Sequence, residues 1–151
     1  MARSSGVLAV GLLGALSVAW AGPPEACECR PRAEHATEEL SRHKSAFAGR
    51  VKEVRAEGEW SVVAFDVHRV WKGPRGKELA VKTGGACAAS FQTGKDYLVY
   101  ADGDKGALTT DRCAQTALGE AARSVRQLDL HTGRGASPLK VPESEPVNAS
   151  R

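Results

Sequence analysis

Four cysteines, Cys27, Cys29, Cys87 and Cys113, decide more about this 151-residue chain than any other feature. An even count reads as a disulfide framework only where the compartment is oxidising. The first 21 residues supply that context. Arg3 gives a positive start, Val7 to Val18 form a short apolar run, and Ala19-Trp20-Ala21 offers small residues where a signal peptidase reads. The run falls short of the roughly 20 apolar residues needed to span a bilayer. Residues 1–21 are therefore expected to be a signal peptide cleaved after Ala21, and the chain to be secreted, into the periplasm or outside the cell. Pro24-Glu25-Ala26-Cys27 lacks the apolar lipobox of a lipoprotein.

Residues 22–26 form a Pro-rich lead, and about 130 residues remain after cleavage, enough for one domain. Bonding Cys27 to Cys29 would close a very small, strained ring. Two long crosslinks from the start of the domain to Cys87 and Cys113 are left, in either pairing. Each closes a loop worth roughly 4 kcal/mol by chain entropy, which matters for so small a core. The net charge of +3 is modest, with both signs intermixed. No basic stripe interleaved with aromatics offers nucleic acid a handle, and no second apolar stretch could cross a membrane.

Hydrophobic periodicity fills in the domain. Ala33 to Lys44 holds helix formers and few apolar residues, predicting a short exposed helix. Ala46 to Val54 reads as a strand with Phe47, Gly49 and Val51 on one face, ending at a turn at Gly58. In the long strand Trp60 to Trp71, Val63, Phe65 and Val67 alternate with polar residues before the phase shifts to Val70. That shift predicts a bulge near His68 and Arg69. After a turn over 72–76 come a strand at 78–83 and a glycine loop, Gly84-Gly85-Ala86-Cys87. A strand over 97–101 is apolar on both faces and so central, and a short one covers 107–110. Leu118, Ala121, Ala122, Val125 and Leu128 recur at helical spacing, with Gly133 as a stop. The domain is expected over 27–131, followed by a disordered tail over 132–151, polar and Pro-rich from Arg134 on. Five strands, one of them bulged, with helices at both ends predict a mainly β fold. Its form is a five-stranded closed barrel of the oligonucleotide/oligosaccharide-binding (OB) type.

No catalytic set assembles, so an enzyme is not expected. There is no Gly-x-Ser-x-Gly elbow and no His-Glu-x-x-His pair. Asp102 and Asp104 lack the glutamate a calcium loop requires. His35 lies near Cys27 and Cys29, but oxidised cysteines are not metal ligands. His43, His68 and His131 read as surface residues, and Gly84-Gly85 as a turn. Trp60 and Trp71, at opposite ends of the long strand, read as barrel plugs or as an exposed binding surface. Asn148-Ala149-Ser150 matches a glycosylation acceptor, a tripeptide common by chance.

Several blocks taken together carry a resemblance: Cys27-Glu28-Cys29 before a helix, Phe47-Ala48-Gly49-Arg50-Val51, Val67-His68-Arg69-Val70-Trp71-Lys72-Gly73, Gly94-Lys95-Asp96-Tyr97-Leu98-Val99-Tyr100-Ala101, and Cys113 before a closing helix. Over Cys27 to Leu130 the chain resembles the netrin-like module and, more closely, single-domain bacterial relatives of the tissue inhibitors of metalloproteinases (TIMPs). The resemblance implies an OB-type barrel and the pairing Cys27–Cys87 and Cys29–Cys113. The third bridge of the animal inhibitor domain has no cysteines here. A monomer without cofactor is expected, and the resemblance further implies that the first cysteine chelates a target's catalytic zinc through its α-amino nitrogen and carbonyl oxygen. The residue after it would face the specificity pocket. Carried over, the inhibitory edge is Cys27, Glu28 and Cys29 with Gly85, Ala86 and Cys87 alongside. The implied partner is a zinc metalloprotease, and the alternative is a non-inhibitory interaction module of the cell envelope. Two features depart from the family pattern. Cleavage after Ala21 would leave Cys27 internal, with an amide rather than an amine. Glu28 also replaces the small or hydroxylated residue usual there.

Overall fold

A computed structural model describes residues 26–133. The expected signal peptide, the lead up to Glu25 and the tail from Arg134 lie outside the described residues. The elements run α1 (Ala36–Arg42), β1 (Ser45–Glu57), β2 (Trp60–Lys72), β3 (Glu78–Gly84), β4 (Asp96–Ala101), β5 (Leu108–Thr109), β6 (Gln115–Ala117) and α2 (Ala122–His131). They form one six-stranded sheet in the order β5-β3-β2-β1-β4-β6, curled into a half-barrel. The sequence pattern predicts five strands. The sixth, β6, has only three residues of mixed polarity and exists by pairing with β4. All neighbours are antiparallel except β3 and β5. A bridge between Asp102 and Thr109 also ties β5 to the end of β4, through N–H···O bonds of 2.9 and 2.8 Å.

The curl follows from the strands. Opposite Ala48 and Gly49, β2 advances from Arg69 to Val67 and leaves His68 as the extra residue, the bulge that the phase shift predicts. Two more shifts, at Trp71 and at Lys52, bend the same pair. Gly49 sits where the strands close up, since a Cβ there would lie 2.7 Å from the Asp66 carbonyl oxygen.

Apolar side chains then sort to two faces. Inside the curl, Phe47, Val51, Val63, Phe65, Val81, Val99 and Leu108 form one core, with Phe65 edge-on to Phe47 and Phe91. On the outer face Ala46, Ala48, Leu98, Tyr100 and Trp71 meet Leu40 of α1 and Val125 and Leu128 of α2. β4 is buried along its whole length, as a strand apolar on both faces must be. The two tryptophans part company. Trp71 is buried and donates Nε1–H to Asp129 at 2.8 Å, whereas Trp60 stays 48% exposed over Gly84.

The bulge gives His68 a partner that a simple polar-face reading does not anticipate. Its Nε2 lies 2.8 Å from Asp96, whose carboxylate also accepts from Arg50 at 2.8 and 3.2 Å. Burial by itself would raise the Asp96 pKa. The bonds from Arg50 and His68 outweigh it, and the carboxyl is held below its ordinary range. A depressed carboxylate pKa adds stability above the unfolded value, and that contribution is lost as pH falls through the folded one. Asp96→Asn should therefore destabilise the protein at pH 7. Its deficit against the parent should shrink on acidification below about pH 4. Urea unfolding at pH 7 and pH 3 reads both effects, and a deficit independent of pH would contradict this role.

Candidate functional site

The segment before α1 has no regular structure of its own and is held by covalent and polar ties. Cys27 is bonded to Cys87 and Cys29 to Cys113, with Cα–Cα distances of 4.9 and 5.4 Å. The bridges span 60 and 84 residues of sequence. One fastens the segment to the loop after β3, the other to the turn before β6. Arg32 adds a third tie, donating to the carbonyls of Cys113 and Gln115 at 3.1 and 3.2 Å and to the Thr116 hydroxyl. No local pattern announces this arginine, because its partners lie 81 to 84 residues away.

The expected edge residues are brought together. Glu28 sits between the two staples and is exposed. Gly85 and Ala86, exposed beside Cys87, form the neighbouring turn. Gly85 has φ +71°, a left-handed conformation that suits glycine. Ala88 N–H bonds Gly85 O, and Ala89 N–H reaches the buried Thr83 hydroxyl at 2.7 Å. Arg112 N–H bonds Cys87 O at 2.9 Å. The ridge is thus fixed from both sides, and such a surface loses little conformational entropy on docking.

Beside the ridge lies a charged cleft of about 320 Å³, lined by Glu28, Arg30, Arg42, His43, Asp102 and Asp111 among others. A second hollow of about 260 Å³ shares His43, Cys87, Asp102 and Asp111 and runs on to Trp60. His43 is its polar centre. Nδ1 lies 2.8 Å from Asp102 and Nε2 3.2 Å from Glu39, while the ring tilts over Tyr100. Asp102 also accepts from Lys44 N–H at 3.0 Å. Burial foremost, then the nearby Glu39 charge, pushes the Tyr100 hydroxyl up to about 12, so it stays protonated. The four-residue spacing of Glu39 and His43 could have hinted at part of this cluster. Asp102, 59 residues beyond His43, could not have been found that way.

Among the described residues, the one grouping with metal-ligand proximity is Cys27, Cys29 and Cys113, whose sulfurs lie within 4.8 Å of one another. All three are in disulfides, and the thiolate rather than a bridged sulfur is the ligand. His35 stands at the start of α1, its Nδ1 3.4 Å from the Gln127 amide, and joins no such group. Among the described residues no helix is long and apolar enough to cross a membrane. The two bridges point to an oxidising environment. No protein-family model and no curated protein matches the chain.

Proposed function

We propose that the protein is a secreted TIMP-like inhibitor that docks the Cys27-Glu28-Cys29 edge, with Gly85-Ala86-Cys87 beside it, at the catalytic zinc of a metalloprotease. The observation that carries the reading is the double staple: alternate residues of one short segment are bonded to two separate parts of the sheet. The curl supports an OB-type barrel beneath it, with the Asp102–Thr109 bridge as the latch that would close β1-β2-β3-β5-β4. A catalytic zinc keeps an open coordination position. An amine and a carbonyl on one rigid residue fill it as a chelate and exclude the attacking water. The protein's own residues perform no bond-breaking step in this scheme.

The chelate requires a free α-amino group on Cys27, so processing must end there. One observation favours the second reading, a non-inhibitory envelope module. The small-residue cleavage signal ends at Ala21, which leaves Gly22 to Ala26 ahead of Cys27. Intact-mass measurement of the exported protein separates the two. The inhibitor reading expects a chain that begins at Cys27 and has all four sulfurs oxidised. A chain that begins at Gly22 would transfer the proposal to the module.

A further inference from the structure

We infer that the free edge of β1 pairs with the same edge of a second copy of this chain. β4 covers only Ser45 to Arg50, and Val51 makes the last bonds on that side, to Lys95 and Gly94. From Lys52 to Glu57 every residue is exposed, and β1 is paired with β2 alone among the described residues. Glu57 and Trp60 close a two-residue turn, so they form a mutually hydrogen-bonded pair. Alternation back along the strand directs the N–H and C=O of Val54 and Ala56 away from β2, toward the open side. These groups are the template for strand addition.

The side chains specify the occupant. An antiparallel two-fold pairing centred on Val54 sets Val54 against its own mate and places Glu53 opposite Arg55 twice. Val54 is 41% exposed, one of three large hydrophobic residues exposed in the described chain. Glu53 and Arg55 lie on the same side of the strand, opposite to Val54, so both charge pairs form on one face. A generic partner strand would meet an edge of alternating sign; a second copy matches it by symmetry. Only the six residues from Lys52 to Glu57 are offered by each copy, fewer than the roughly 20–30 residues a side of a standard interface, so the dimer is expected to be weak and reversible. The sequence reading expects a monomer; this edge adds self-association at high concentration.

Sedimentation velocity of the whole exported protein, from about 10 µM to 1 mM, tests the inference in the range where so small an interface associates. The parent should sediment increasingly as a dimer. Glu53→Arg and Arg55→Glu each place like charges across the axis and should weaken association at least about tenfold. A mixture of the two variants, or one chain carrying both changes, restores the opposition of charge and should regain it. Circular dichroism confirms that each variant is folded. A parent that is monomeric throughout overturns the inference. So does a dimer indifferent to either substitution, or a loss that mixing does not repair. None of these outcomes depends on where the mature chain begins, so they stand apart from the inhibitor proposal.

Discussion

Replacing Cys29 and Cys113 together with alanine should lower the unfolding free energy by about 3.5 kcal/mol, because with Cys27–Cys87 intact the lost bridge frees a loop of roughly 28 residues in the unfolded chain, from Cys29 back to Cys27 and on from Cys87 to Cys113. Domains of this size have about 5–15 kcal/mol in total, so the loss is a large fraction of what holds the fold. With a urea slope of about 2 kcal/mol per molar, the midpoint should fall by about 2 M. Removing Cys27 and Cys87 instead, with Cys29–Cys113 intact, frees a loop of the same length, so the two costs should be about equal. Two near-equal losses are expected, since both bridges work through the unfolded state. A midpoint within about 0.5 M of the parent for either pair would mean that the ridge is not braced as described.

Local effects made much of this fold legible in the sequence. The alternation in β2 and its change of phase are properties of neighbouring residues, and the bulge at His68 lies where that change occurs. β4 announced its central place by being apolar at every position that can face a core. Of the expected helical stripe, Leu118 and Ala121 are buried but lie before α2, which begins only at Ala122; within the helix Val125 and Leu128 are buried while Ala122 stays exposed.

What stayed hidden depends on residues far apart in the chain. β6 has too few residues to carry a period, and its partner β4 creates it. Trp60 and Trp71 are the same residue type on the same strand. Trp71 meets Asp129 of α2, while Trp60 reaches the rim beside Gly84, so tertiary position alone separates them. The residues of the ridge could be named from the cysteine pattern and the resemblance. Their support could not: Arg32 reaching across to β6 and His43 held between Glu39 and Asp102 are products of the folded chain.

The same bracing makes the second large effect an all-or-none matter at one atom. Binding at a zinc depends on the charge state and substitution of the first nitrogen, since an amine has a lone pair to donate and an amide does not. Because the staples hold Cys27 in place, adding one residue ahead of it cannot be absorbed by a shift of the segment. In the proposed inhibitor Glu28, exposed beside it, would face the specificity pocket, so a protease whose pocket is polar or basic is the suitable assay enzyme. The decisive measurement is inhibition of such a zinc metalloprotease by two otherwise identical oxidised proteins, one beginning at Cys27 and one with a single alanine before it. Tight inhibition by the first is expected, and at least a hundredfold weaker inhibition by the second, about 2.7 kcal/mol of lost binding. Equal potency of the two forms, or no inhibition by the form beginning at Cys27, would contradict chelation through Cys27.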